Sequence, residues 1–401
     1  MRCFHYNLSP QGVYRARSVI LCDVIARKPY FPPVPQELAL LFRGEGLELL
    51  GVADATADQH SETSYREWID RGYAGSMAYL HDHAPLKFHP ERLLPGARAL
   101  LVAGINYYQE TGWRAGRAVK AAGGSDTATV PAGGGAAGAP SGAAGRIARY
   151  AWGRDYHRLL GGKLARVAKE LRLRYPEERF RPFTDATPLA ERHYAEAAGV
   201  GFTGRNTLLI SSQYGSWFLI GEILSTRSFP ASGPPRGRHG ACPSGCRRCL
   251  DVCPTGALVA AGVIDASRCI SYLTIEHRGS IPEKLRHLMG DWLFGCDLCQ
   301  EVCPLNLQAQ STGERDFLTW RAGGSQELAV ILAIDDEAEF TRRFAGSPLM
   351  RARRSGLLRN ACIVAANLGA RELLPLLRER AIDADPVIAE HARWAIAELD
   401  G

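Results

Sequence analysis

Residues 242–254 read CPSGCRRCLDVCP, and residues 296–304 read CDLCQEVCP. Thiolates are soft metal ligands, and a cysteine binds metal only as its anion. Cys242, Cys246, Cys249 and Cys253 form the first block, Cys296, Cys299 and Cys303 the second, and Cys269 stands between them. Eight thiolates suit two 4Fe-4S cubanes, in which each iron takes one protein sulfur. In the bacterial C-x2-C-x2-C-x3-C-P run the fourth cysteine ligates the other cluster, because the chain has turned away from the first by then. That logic assigns Cys242, Cys246, Cys249 and Cys303 to one cluster and Cys253, Cys269, Cys296 and Cys299 to the other. The first gap departs from the pattern, being x3, with Pro243 and Gly245 widening the loop. Zinc is the competing reading, but zinc ribbons favour paired C-x2-C knuckles, whereas both blocks here end in C-x3-C-P. Cys3, Cys22 and Cys362 are left over and read as buried or incidental thiols.

Two clusters alone make an electron conduit, which needs a destination. The segment PFTDATPLAERHYAEAAGVGFTGRNTLLI (182–210) carries Asp185, whose plainest reading is a helix N-cap. GVGFTGRN brings three glycines before a strand but is not a GxGxxG fingerprint, so a dinucleotide fold is not supported. Upstream, Asp155 and His157 approach the D-x-H-x-x-G cobalamin motif. Leu160 stands where its glycine belongs and Gly161 comes one residue late, so His157 is not assigned as a cobalt ligand.

The elements that must position these groups fall into an α+β, multidomain arrangement. Helical and strand-like pieces alternate from residue 35, with QELALLFRGEGL and TSYREWIDRGYAGSMAYL at helical spacing and ALLVAGINYY a buried strand. Residues 115–146 are Gly- and Ala-rich and cannot bury enough apolar area to offset their ordering entropy, so they are expected to be a disordered insertion within one α/β domain (35–229). The cysteine domain follows over 230–310. Residues 325–401 are rich in Ala and Leu and carry amphipathic helix pairs, as in a short HEAT-type array. The net charge of +6 is modest, but Arg342 to Arg359 holds six arginines and no acid. Such a run is either a solvated face or a footprint for phosphates. The sequence has no apolar run long enough to span a bilayer and no twin-arginine signal, so a cytoplasmic protein is expected.

The motifs, taken in order, closely resemble epoxyqueuosine reductases. RYAWGRDYH, TDATPLAERHYAEAAGVGFTGRNTLLIS, SWFLIGEIL and the two cysteine blocks with RCISYLTIEHRGSIPEKLRHLMG between them carry the resemblance. GSMAYLHDHAPLKFHPERLLPGARALLV and LLRNACIVAANLG extend it to roughly 35–400, leaving residues 1–34 as an extension. The departures are the x3 gap, Trp152, Arg205 and the insertion.

The resemblance implies a monomeric, cobalamin-dependent enzyme with two 4Fe-4S clusters, fed by a low-potential electron donor. It would reduce the epoxide of epoxyqueuosine, at the anticodon wobble position of a tRNA, to queuosine. Asp185 matches the family's proton donor, and Asp155 falls at an active-site position. Lys87, Asp185, Asn206, Leu209, Ile220, Ser271 and Asp297 match cobalamin-contacting positions, and Arg278 a basic position facing tRNA. Arg353 and Arg354, with the helical tail, would hold the tRNA stem by its phosphates. Opening the epoxide needs electrons that no side chain supplies and an acid for the developing alkoxide. Burial against an apolar corrin is expected to raise the pKa of that acid. The alternatives are another corrinoid iron–sulfur reductase, such as a dehalogenase, and a non-catalytic electron carrier.

Overall fold

The computed structural model describes residues 32–110, 142–185, 188–234 and 240–401. The expectations placed on residues 1–31, on Cys3 and Cys22, and on most of the Gly/Ala-rich segment lie outside the described residues.

The strands are β1 Glu48–Asp54, β2 Ala99–Asn106, β3 Ala144–Ile147, β4 Phe180–Phe183, β5 Phe202–Thr203, β6 Leu209–Ile210, β7 Phe218–Ser225, β8 Leu258–Ala260, β9 Val263–Ile264, β10 Trp292–Phe294 and β11 Ser325–Glu327. The helices used below are α1 Gln36–Gly44, α2 Gln59–Asp70, α3 Ala78–Asp82, α4 Tyr156–Arg174, α5 Glu191–Ala197, α6 Arg248–Val252, α7 Ile270–Ile275, α8 Leu298–Glu301, α9 Leu328–Leu332, α10 Arg353–Leu368, α11 Leu374–Arg380 and α12 Pro386–Asp400.

Strands β1, β2, β7 and β4 form an antiparallel sheet in that order. Both faces are covered, which is why β2 reads as an unbroken apolar run. On one face α1 and α4 bury Phe42, Leu160, Leu164 and Val167; on the other α5 buries Tyr194 and Ala195 against Leu100, Val102 and Leu224. At Gly221 of β7 a Cβ would lie 2.5 Å from Leu164 Cδ1, so only glycine lets α4 sit this close to the sheet. The stretch expected to be one helix over TSYREWIDRGYAGSMAYL is two, α2 and α3, divided by the positive-φ turn at Gly72 and Gly75.

The insertion ends earlier than its composition implied. Ala144–Ile147 is a strand, not a linker, and it pairs parallel to β10 and antiparallel to β11. Its residues are small because they sit in the middle of a sheet: a Cβ at Gly145 would strike Leu293 at 2.6 Å. This second sheet packs on the C-terminal helices through Ile147, Trp152, Leu293, Phe294, Leu328 and Leu357. Residues 144–152 therefore pack with the C-terminal core rather than with the sheet of residues 35–229.

In the tail, α10 packs against α12 and β10, and α11 against α12. Arg359 of α10 is fully buried, donating to the carbonyls of His277 (2.8 Å), Gly279 (2.9 Å) and Leu273 (2.5 Å). Its neighbour Asn360 donates to Thr274 O (2.9 Å) and Leu293 O (3.0 Å), so one turn of helix ties the tail to the cysteine region. No helix among the described residues is long and apolar enough to cross a membrane.

Candidate functional site

Strands β5 and β6 form a small hairpin whose tip is Gly204-Arg205-Asn206-Thr207. Gly204 N donates to Leu208 O (2.8 Å), and Thr207 takes φ 66°, a costly conformation for a β-branched residue. The turn sets Arg205 against the first cysteine block and Asn206 between that block and Cys299. Arg205 N donates to Cys242 Sγ at 3.5 Å and its guanidinium to Cys246 O at 2.8 Å. A small cavity of about 10 Å³ lies there, and Cys242, Cys246, Cys249 and Cys303 all line it with Arg205 and Asn206.

Cys253, Cys269, Cys296 and Cys299 form the second group, Cys299 interacting with Cys269 and Cys253 and also with Cys249 of the first, and Cys296 with Cys299 and Cys269. Each block runs straight into a short helix, so N–H groups point back at sulfur: Ser271 and Tyr272 toward Cys269, Leu298 toward Cys296, Leu305 toward Cys303. Burial, then the neighbouring thiols, push Cys249 up to about 11, and burial is the main cause pushing Cys303 up to about 12. Thiolates crowded in this way are stable only if bound metal supplies positive charge. Among the described residues no three His, Cys, Asp or Glu side chains close on a single ion, and no disulfide joins the cysteines. A polynuclear group fits that spacing better than tetrahedral zinc. Cys362 stands apart, buried in the tail core.

The second half of the site gathers at the start of α4. Asp155 caps this helix, its carboxylate accepting from His157 N at 3.0 Å. Asp185 is not a cap, because α5 begins only at Glu191 and is preceded by Ala190. Instead Asp185 Oδ1 receives His157 Nε2 at 2.6 Å, Asp155 Oδ1 receives Nδ1 at 2.6 Å, and Tyr156 donates its hydroxyl to Asp185 Oδ2. The Tyr156 and His157 rings stack at 4.1 Å. Hydrogen bonds to Asp155 and Asp185 push His157 up to about 10, making it an imidazolium held between two carboxylates. The Asp185 side chain keeps 41% of its surface exposed, so the protein alone does not provide the desolvation expected of it.

Lys87 ends a short turn beside this array; burial lowers its pKa and Glu191 opposes the shift. Leu209 and Ile220 lie at one apolar cluster of the sheet, Leu209 buried and Ile220 at its edge. Asn206 is buried, yet its amide makes only long contacts, 3.5 Å to Cys299 O and 3.4 Å from Leu208 N. Ser271 is half-buried on α7. Asp297 differs from its expected role: it is buried and turned into the protein, accepting from Arg149 N at 2.8 Å and Arg149 Nη1 at 3.4 Å. Arg149 also pairs with Glu301 at 2.9 Å and lies over the Trp217 ring at 4.9 Å. Burial pushes Asp297 up to about 6 although Arg149 opposes it.

The arginine run divides. Arg353 is exposed at the start of α10, with φ 61°. It lies within electrostatic reach of Arg278, as does Arg351, and Arg351 extends to Tyr79. Arg354 corrects the expectation of a phosphate contact. Its side chain is 11% exposed and bound to Asp383 at 2.6 Å, so it faces the interior. Tyr156, Arg149, Glu191 and Glu222 were missed by the sequence reading. The visible signal for Glu222 was a lone acid inside the apolar run SWFLIGEILS.

A family model described as "4Fe-4S double cluster binding domain" matches residues 242–306, and one described as "Epoxyqueuosine reductase QueG, DUF1730" matches 87–186. The epoxyqueuosine reductase of Xanthomonas campestris is 35% identical over 361 residues, covering 89% of this chain and 94% of the relative. That of Escherichia coli K12 is 34% identical over 366 residues, 90% of this chain and 89% of the relative. A crystal structure of epoxyqueuosine reductase with a tRNA-Tyr epoxyqueuosine-modified stem loop superposes with a TM-score of 0.78 at 27% identity, covering 91% of this chain and 90% of that one. One from Bacillus subtilis gives 0.76 at 27% identity with the same coverage. With such likeness running nearly end to end, the chain belongs to the epoxyqueuosine reductase family.

Proposed function

We infer that this chain is an oxidoreductase that converts epoxyqueuosine in tRNA to queuosine. The observation that carries the reading is the Asp155–His157–Asp185 array, standing on the same chain as a double-cluster cysteine domain. An electron carrier has no use for a carboxylate held open to solvent by an imidazolium and a tyrosine hydroxyl.

The two cysteine sets, Cys242/Cys246/Cys249/Cys303 and Cys253/Cys269/Cys296/Cys299, would each hold one 4Fe-4S cluster. The N–H groups aimed at their sulfurs would tune the potentials. The residues also fit a corrinoid. The buried Asn206 amide retains unused hydrogen-bonding capacity, Ile220 offers an apolar edge, and Lys87, Ser271 and Asp185 supply polar contacts. Cobalamin, when bound, supplies reducing power that no side chain has. The chain's own residues do the rest. Asp185 would pass a proton, taken from the His157 imidazolium bonded to it, to the epoxide oxygen as its C–O bond breaks, and Asp155 and Tyr156 fix the orientation of His157 and Asp185.

The substrate base must leave the anticodon stack to reach Asp185, at small cost in a single-stranded loop. Arg278, Arg351 and Arg353 are exposed on one surface beside Tyr79, and although Arg351 is bonded to Glu276 at 2.8 Å the three arginines leave that surface net positive. That surface, with the HEAT-like tail, would receive the tRNA backbone. The test is anaerobic purification with cobalamin, followed by turnover on an epoxyqueuosine-modified stem loop. Queuosine formation is expected, and a loaded protein that leaves the epoxide intact would overturn the reading.

A further inference from the structure

Two departures from the family pattern, the x3 gap and Arg205, meet at one place. The extra residue between Cys242 and Cys246 is taken up in a turn: Cys246 N donates to Pro243 O at 3.1 Å, and Gly245 holds φ 68°. The turn leaves both cysteines on the cavity they share with Cys249 and Cys303. Arg205 spans the widened gap. Its N–H donates to Cys242 Sγ at 3.5 Å and its guanidinium to Cys246 O at 2.8 Å. A further bond fixes the arginine itself, whose carbonyl accepts from Gly262 N, between β8 and β9, at 3.0 Å. Its own hairpin turn is closed by Thr207 N donating to Gly204 O at 2.9 Å. The guanidinium is thus held at the cysteine cavity by three segments distant in sequence.

Arg205 and Arg248 bring two positive charges to that cavity, and no carboxylate among the described residues lines it. Arg248 belongs to the cysteine block, whereas Arg205 is delivered to it from the β5–β6 hairpin. A cluster that takes up an electron gains one negative charge. A nearby cation and an N–H at its sulfur both favour the reduced form and so raise the potential. Of these two, only the cation is lost when the side chain is replaced.

We propose that the Arg205 side chain sets the reduction potential of the cluster held by Cys242, Cys246, Cys249 and Cys303. Arg205 is a positioning residue: it touches the ligands and not the substrate. The inference rests on the two 4Fe-4S clusters assigned above.

The chain is reconstituted anaerobically with iron and sulfide, without cobalamin or tRNA, and titrated with dithionite. Electron paramagnetic resonance follows each cluster as it gains one electron from the reductant, and the wave missing from Cys303→Ser belongs to this cluster. In Arg205→Gln that wave should fall by about 59 mV, a tenfold change in a one-electron equilibrium. The other wave should stay, and iron should remain at about eight per chain. Arg205→Lys keeps the charge and should bring the wave back towards its wild-type position. Unmoved midpoints in Arg205→Gln, two waves that move alike, or a lysine variant no different from the glutamine one overturns the proposal. Should Arg205→Gln lose its iron, Arg205→Met, which keeps the apolar stem, must show the same fall. Iron lost from both means a tie that only holds the loop, and overturns the proposal too. A chain that forms no cluster overturns it together with the reading it rests on, whereas clusters with unmoved midpoints leave that reading standing.

Discussion

His157 Nε2 meets Asp185 Oδ1 at 2.6 Å, while its Nδ1 meets Asp155 at the same distance. The imidazolium thus holds Asp185 in place without making it the end of a helix. Asp185→Asn should therefore keep iron, sulfide and cobalamin at wild-type levels and lose about 10²–10⁴-fold in turnover. Metal analysis beside a single-turnover assay reads both, and full activity would remove Asp185 from the chemistry.

The same array makes a pH prediction. His157 is raised from 6.5 to about 10, mainly by its hydrogen bonds to Asp155 and Asp185. A group whose folded pKa is raised contributes stability fully below its unfolded pKa, and loses it as pH rises through the folded value. The Tm advantage of the wild type over His157→Gln should thus be full below about pH 6.5 and fade towards pH 10. The imidazole is partly exposed, so the advantage is modest, and an advantage independent of pH would contradict the imidazolium.

Arg353 and Arg354 are adjacent but should behave differently. Arg354→Ala leaves Asp383, itself 6% exposed, with Arg380 at 3.3 Å and the Asp385 N–H as its partners, and should destabilise the tail by about 1–3 kcal/mol. Arg353→Ala should leave the Tm unchanged, weaken stem-loop binding and lower the salt slope by about one. Thermal melts and binding titrations at several salt concentrations separate the two.

Cys303 comes from the second block yet lines the cavity of the first. Cys303→Ser should remove the cluster held with Cys242, and Cys299→Ser the other, each taking iron from about eight to about four per chain. Loss of both clusters from either variant would show that the sites are not independent.

The cysteine blocks were legible because their ligands lie a few residues apart, and the double-cluster domain match falls on them. The family was legible for the same reason: its motifs are local and ordered. What sequence could not give is facing. Arg342 to Arg359 reads as one basic run, but helical rotation turns Arg354 onto Asp383 and Arg359 onto the carbonyls of α7 and the loop after it. Neither inward arginine has a partner within its own run. Asp185 read as a cap because Asp-x-x-x before a helix looks alike in any context, and its real partners lie some thirty residues upstream. Ala144–Ile147 read as the end of a linker because Ala and Gly are also what a crowded central strand requires.

That strand has a consequence for synthesis. Arg146 of β3 pairs with Trp292 on one side and Ser325 on the other. A nascent chain emerging from the ribosome cannot complete this three-stranded sheet until residue 327 has been made, long after β3 itself. Closing so long a loop is slow and late. The cysteines of 242–303 are all translated inside that interval, before this sheet can close.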